Sequence, residues 1–388
     1  MNSDSKSCDL KGNQKVFRLH LNQAGSCCMA YSDVLDDTKT LDHYINQWQQ
    51  ESDRLDQGQE IASCEMCWKN ENAGLSSYRQ QIRGNTYAGK PGEPPRLDQL
   101  ANTIDIFISN LCNQMCSYCS PNYSSEWENS VVDRGVFAKI STTSKNNQIL
   151  ETPSITNQEY WLSEIERYIS TQPDNSVELK LIGGEPLMQM ANLRRLLEFN
   201  SSKIELLSIH TNLNPPTSRF LEWILETFPT EKLKIDISID STLEYNHVPR
   251  AGFDQTRFRN NLSLLEKHKV NFKFTPVISV LSIFDIANFY AFVTQNRYPT
   301  VFSKINNPDC LDTIHLPWEF KQRILNTRDK LPDLAREILS FETETVDLKL
   351  FEQYNYLKQY FDRTKIDPTT TPNALFNEYW TWLSNKGF

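Results

Sequence analysis

The chain carries three cysteines in the segment Cys112-Asn113-Gln114-Met115-Cys116-Ser117-Tyr118-Cys119, a C-x3-C-x2-C spacing. As thiolates on one short loop, Cys112, Cys116 and Cys119 can hold three corners of a cubic iron–sulfur cluster. The fourth iron then has no protein ligand close by in the chain and is open to a substrate or cofactor. A cluster that only carries electrons normally has a fourth cysteine. Three inert thiols in a core loop are the plainer reading. The tight spacing, the apolar run Ile104–Ile108 before the loop and a second motif after it weigh against that reading. The second motif is Gly183-Gly184-Glu185-Pro186, directly after the apolar run Val177–Ile182. Paired glycines let the backbone approach a ligand closely, and the acid can receive an ammonium group.

A further set, Cys8, Cys27, Cys28, Cys64 and Cys67, lies near the N-terminus, with Cys64 and Cys67 as a C-x2-C pair. Alone, such a pair suits zinc, a redox disulfide or an iron–sulfur cluster. Cys310 stands apart and reads as a small buried hydrophobe.

These groups need a scaffold, and the chain is long enough to build one. With 388 residues it can bury a large core, in roughly two or three domains. A hydrophobic content of 39% with 23% charged residues is that of a water-soluble protein. The net charge of −9 argues against a general nucleic-acid surface. No apolar run is long enough to span a membrane, and the polar start Met1–Gly12 is unlike a signal peptide. The expected location is the cytoplasm, where thiols stay reduced and clustered cysteines read as metal ligands.

Apolar runs at Ile104–Ser109, Val177–Ile182, Ile204–His210, Leu233–Ile239, Phe272–Ser279 and Val301–Ile305 alternate with helical segments such as Met188–Phe199, Pro216–Thr227, Phe258–Lys269 and Ile283–Gln295. That alternation predicts an α/β fold of parallel crossover units, a partial (β/α)6 barrel. Reactive residues in such folds gather at the C-terminal ends of strands, where both motifs stand. The predicted division is 1–95, a loop-rich N-terminal module with a strand at Val16–Leu21 and a helix at Leu41–Trp48; 96–310, the partial barrel; and 311–388, a helical C-terminal cap. Gly89–Pro95 reads as the linker, and 121–156 as a long polar flap. The cap carries helices at Trp318–Leu331, Leu334–Phe341 and Leu348–Phe361. Its many aromatics are expected to pack a core rather than form a lid.

The cysteine loop and the Gly183–Pro186 loop together resemble the radical S-adenosylmethionine (radical SAM) enzymes. The resemblance implies a [4Fe-4S] cluster whose open iron chelates the methionine end of SAM, and Gly183, Gly184, Glu185 and Pro186 at the SAM amino group. Thr211 and Asn212 stand where the family often has Thr-Asn-Gly, with Leu213 in place of the glycine. Ser238 and Asp240 resemble the residues that face the ribose. Arg250 stands where relatives carry an arginine near the SAM carboxylate, a task its planar fork suits; a surface salt bridge is its alternative role. Tyr118 can pack on the adenine. Val277 and Ile278 can line its pocket or simply be core.

The N-terminal pattern C-x2-C-W-x2-E-x2-G-x2-S-x-R, from Cys64 to Arg79, resembles the twitch-domain (SPASM-like) subgroup, as do Cys8 and the stretch Gly25-Ser26-Cys27-Cys28. So do Ser124–Trp127, Asn307-Pro308, His315–Pro317 and Phe361–Arg363. An auxiliary [4Fe-4S] cluster on Cys8, Cys64, Cys67 and either Cys27 or Cys28 is implied, with zinc as the other candidate. The function implied is reductive cleavage of SAM to a 5′-deoxyadenosyl radical that abstracts a substrate hydrogen, with electrons from a donor such as flavodoxin or ferredoxin. The expected substrate is a peptide or protein side chain to be oxidised or crosslinked. Dehydrogenation or epimerisation of a sugar or nucleotide is the alternative reaction, and a non-catalytic iron–sulfur electron carrier the alternative class.

Overall fold

The structure, a computed structural model, describes residues 6–30, 32–74, 76–83, 102–130, 155–305, 307–327, 330–342 and 346–388. The Gly89–Pro95 linker and most of the 121–156 flap lie outside these. The strands in chain order are β1 (Gln14–Arg18), β2 (Gln23–Gly25), β3 (Asp33–Val34), β4 (Thr103–Phe107), β5 (Met115–Cys116), β6 (Val177–Ile182), β7 (Ile204–Thr211), β8 (Leu233–Ile237), β9 (Arg250–Ala251), β10 (Asn271–Phe274), β11 (Val277–Ile278) and β12 (Ser303–Lys304). The expected α/β class, with mostly parallel pairing and a helical C-terminal region, is the class observed.

The chain divides into two compact units. The first comprises 1–110, 143–210 and 226–234. Its strands run in the order β7-β6-β4-β1-β2-β3. β4 pairs parallel with β6, and β6 with β7, as their apolar faces require. One strand departs from expectation. β1 pairs parallel with β4, Val16 facing Asp105, while its other edge carries the antiparallel β2. Gln14, Lys15, Val16 and Phe17 are all buried, and the strand expected at Val16–Leu21 begins at Gln14 and ends at Arg18. The helix expected at Leu41–Trp48 continues to Asp56, burying Leu41, Tyr44, Trp48 and Leu55. A helix at Ile155–Ser170, not read from the sequence, packs Trp161 edge-on against Tyr44.

The second unit comprises 111–142, 211–225 and 235–388. The run expected at Phe272–Ser279 is two short strands, β10 and β11, because Pro276 between them has no N–H for a ladder. β11 pairs parallel with β12. Of the expected flap, the described start is a turn followed by the helix Ser125–Ser130, which buries Trp127 completely. The C-terminal helices Trp318–Leu325, Asp333–Ser340, Asp347–Thr364 and Ala374–Ser384 pack their aromatics into one core. Phe320 meets Tyr379 edge-on at 5.0 Å and Phe361 meets Trp380 at 5.2 Å. The aromatic-rich region therefore packs as a core, as expected of it. Among the described residues no helix is long and apolar enough to cross a membrane.

Candidate functional site

In the second unit the cysteine loop is pinned almost carbonyl by carbonyl. The Ser125 hydroxyl donates to the Cys112 carbonyl (3.0 Å) and accepts from the Cys112 N–H (3.1 Å). The Ser124 hydroxyl donates to the Gln114 carbonyl at 2.7 Å, and the Trp127 indole to the Cys116 carbonyl at 3.0 Å. From the helix Asp347–Thr364, the Tyr356 hydroxyl donates to the Ser117 carbonyl (2.6 Å), and Tyr360 approaches the carbonyls of Met115 (3.3 Å) and Val248 (2.8 Å). The Ser124–Trp127 segment thus matters because its side chains hold the loop. A backbone held this fully keeps the sulfur positions fixed.

The second support is the antiparallel bridge between β5 and β9, which sets Cys116 opposite Arg250 and Met115 opposite Ala251. Gly252 follows with φ of +92°. A Cβ there would stand 2.5 Å from the Asn113 carbonyl oxygen, so glycine alone lets this strand approach the cysteine loop. Gly252→Ala is expected to cost about 2 kcal/mol or more, from the left-handed backbone and the backbone clash. Urea unfolding and the iron bound per chain should both fall; if both stay at wild-type values, the close approach is not needed.

The sulfurs receive hydrogen bonds. Asn212 Nδ2 stands 3.9 Å from Cys112 Sγ and donates to Asn113 Oδ1 at 3.1 Å. Arg250 Nη1 donates to Cys116 Sγ at 3.5 Å. Burial, then the neighbouring Cys116, pushes the Cys119 thiol up to about 12. Cys112 and Cys116 are also buried. Within the loop, Gln114 Nε2 and Ser117 Oγ are buried polar atoms with no hydrogen-bond partner. Three thiols, donors aimed at two of them and orphaned polar atoms beside them fit an anionic thiolate-held cluster.

Asp240 and Arg250 pair with each other. Asp240 is fully buried and accepts Arg250 Nε at 2.8 Å and Nη2 at 3.1 Å, one per carboxylate oxygen. It also accepts the Tyr118 hydroxyl at 2.7 Å and the Val277 N–H at 2.9 Å. Arg250 Nη2 donates in turn to the Tyr118 hydroxyl, whose pKa burial pushes well up, so the hydroxyl keeps its proton. Arg250 is itself buried, in a buried pair rather than a surface salt bridge. Thr211 is buried, its hydroxyl accepting from the Leu213 N–H at 2.8 Å. Leu213, in the family's glycine position, adopts a left-handed φ of 53°. The Thr211 carbonyl accepts from the Ser238 N–H at 2.8 Å. Ile278 lies in the apolar core. Cys310, buried, has its thiol pushed up to about 12 chiefly by burial, in keeping with a small apolar side chain.

In the first unit, Gly183 and Gly184 both have positive φ, +85° and +54°. The Phe107 ring occupies the space a Cβ of Gly183 would need. Glu185 is fully buried and caps the short turn Pro186–Met188, its carboxylate accepting the Leu187 N–H at 3.0 Å. Removing such a cap costs about 0.5–2 kcal/mol, so Glu185 has structural work as well as any ligand it meets.

The same unit gathers the N-terminal cysteines. Cys64 opens the helix Glu65–Asn72 and Cys67 lies on its first turn. The conspicuous Glu, Ser and Arg that follow form one clamp. Arg79 reaches Glu71 through Nη2 at 2.5 Å and Nε at 3.1 Å, the Ser77 hydroxyl donates to Glu71 at 2.5 Å, and Arg79 Nη1 donates to the carbonyl of Ser7 at 3.3 Å. Arg79 also lies over the Trp68 ring at 5.0 Å. The clamp draws the segment preceding Cys8 toward the C-x2-C helix. Burial raises the Cys8 thiol and pushes Cys64 up to about 11. Cys27 and Cys28 share a hydrogen bond that lowers Cys28 to about 7 and raises Cys27. Among the described residues no three His, Cys, Asp or Glu side chains converge closely enough to hold a single metal ion.

No family model matches the chain. The chain is similar to the radical SAM cyclopropyl synthase TigE of Paramaledivibacter caminithermalis, 26% identical over 216 residues that cover 54% of this chain and 40% of that protein. The matched region is thus less than half of that relative's length. Among solved structures the chain is similar to native anSMEcpe with bound AdoMet (18% identity, 58% of this chain, 59% of that chain, TM-score 0.40). It is also similar to Streptococcus suis SuiB bound to S-adenosylmethionine (13%, 72%, 62%, TM-score 0.38). The sequence match to TigE and the pinned C-x3-C-x2-C loop, with nitrogen donors on two of its sulfurs, together support a radical SAM enzyme.

Proposed function

We propose that this protein uses a [4Fe-4S] cluster on Cys112, Cys116 and Cys119, with SAM on its open iron, to oxidise or crosslink a peptide or protein side chain. The observation that carries the reading is the loop itself, three thiols with every intervening turn tied down. When bound, a reduced cluster and SAM supply hydrogen-abstracting one-electron chemistry. The chain's own residues hold and shield that chemistry. Asn212 and Arg250 donate to the sulfurs, Ser124, Ser125, Trp127, Tyr356 and Tyr360 fix the loop, and the apolar core around Ile278 and Trp127 keeps water away. Thr211 and Ser238 are assigned to polar contacts with SAM.

The N-terminal set is proposed to hold an auxiliary [4Fe-4S] cluster through Cys8, Cys64, Cys67 and Cys27. Cys27 is favoured over Cys28 on two grounds. It is the more deeply buried of the two, and its sulfur accepts the Met29 N–H at 3.4 Å.

An extended substrate is supported by the N-terminal cysteine module and by the long polar segment that follows the central loop in the sequence. With a short precursor peptide encoded beside this chain, deuterated at its side chains, the anaerobically reduced enzyme is expected to place deuterium in 5′-deoxyadenosine and to release a peptide lighter by the hydrogens lost. Deuterium arriving instead from a sugar or nucleotide, with the peptide unchanged, would overturn the peptide assignment.

A further inference from the structure

The Asp240–Arg250 pair is costly to bury and does no work at the protein surface. Breaking a buried pair by removing one partner costs about 3–5 kcal/mol, so such a pair is kept fixed once formed. Here it fixes the aim of one guanidinium. Nε and Nη2 are spent on the two oxygens of Asp240, and Nη2 also on the Tyr118 hydroxyl, which leaves Nη1 to point at Cys116 Sγ, 3.5 Å away. The β5–β9 bridge sets the two residues opposite each other in register, so the contact is built into the backbone as well as the side chains. Val277 N–H and the Tyr118 hydroxyl fill further acceptor positions of the carboxylate and hold it in place.

We infer that Arg250 is a potential-setting donor to the Cys116 thiolate and that Asp240 is the positioning residue that aims it. The inference rests on the reading that Cys112, Cys116 and Cys119 hold a cluster. Hydrogen bonds to cluster sulfurs and nearby charge tune reduction potential. Adding an electron makes the cluster more negative, so a cation donating to one of its sulfurs favours the reduced form. With the carboxylate clamp occupying two of its nitrogens, Arg250 has no complete fork left for a second carboxylate, which separates this role from direct SAM binding.

The test uses protein reconstituted without SAM, in a Cys64→Ala, Cys67→Ala background so that only the central cluster is seen. Asp240→Asn combined with Arg250→Gln removes both charges together and avoids stranding either one. With iron content retained, the reduced fraction at the parent's midpoint poise is expected to fall about tenfold relative to the oxidised form, equal to about 59 mV for one electron. An unchanged potential with full iron would overturn the inference. A readout independent of the variant's folding is pulsed electron paramagnetic resonance (EPR) of the parent protein labelled with 15N-arginine. The reduced cluster should show weak 15N coupling, and no coupling would overturn the inference. Failure of the parent to bind iron at the central loop would instead overturn the cluster reading on which the inference stands.

Discussion

Replacing Cys112, Cys116 and Cys119 together by alanine is expected to reduce 5′-deoxyadenosine formation from SAM to the background of protein-free reagent. The three sulfurs act as one unit, so the effect is all-or-none rather than a sum of three losses. Cluster binding needs deprotonated thiols, and Cys119 begins from a thiol raised to about 12. The cluster must therefore displace protons that burial holds tightly, and two nitrogen donors already aimed at the loop favour that displacement. Because the loop carbonyls are held by Ser124, Ser125, Trp127, Tyr356 and Tyr360, the triple variant should keep its fold and its circular dichroism. Anaerobic reconstitution, dithionite reduction and chromatographic assay of 5′-deoxyadenosine check this. Product persisting above background in a folded triple variant would refute the assignment.

The second large effect is on iron content. Each cubane holds four irons, so the reconstituted wild type should bind about eight and the central triple variant about four. Cys64→Ala with Cys67→Ala should also leave about four irons, now on the central loop, with SAM cleavage retained in part. Cys27→Ala should weaken the N-terminal cluster far more than Cys28→Ala does, because Cys27 is the more buried and its sulfur accepts the Met29 N–H. Equal losses from both single variants would leave Cys27 without priority. About four irons and one zinc in the wild type would replace the auxiliary cluster by a zinc site.

The sequence made local chemistry legible and distant pairing illegible. The C-x3-C-x2-C loop and Gly183–Pro186 depend on spacing within a few residues, and the apolar runs before them mark strands. The side chains of Asn212 and Arg250 were readable as useful types, yet what they touch was not. Cys116 and Arg250 meet because β9 folds back onto β5, and a two-residue bridge leaves no periodic signal. Tyr356 and Tyr360 reach carbonyls 239 and 245 residues away, so nothing in the aromatic-rich segment itself reveals that it supports the loop. The bounds of β1 differ from the expected Val16–Leu21 for another reason. A strand carrying neighbours on both edges and buried on both faces, Gln14 and Lys15 included, does not alternate. The run Phe272–Ser279 reads as one strand although it contains Pro276, and the ladder breaks there.

EPR of the Cys64→Ala, Cys67→Ala protein, reduced and measured with and without SAM, bears most directly on whether Cys112, Cys116 and Cys119 hold a cluster with one open iron. The expected result is a single [4Fe-4S] signal from about four irons whose g values shift when SAM is added. A full complement of iron whose spectrum is identical with and without SAM would contradict an open iron, and with it the central reading of this protein.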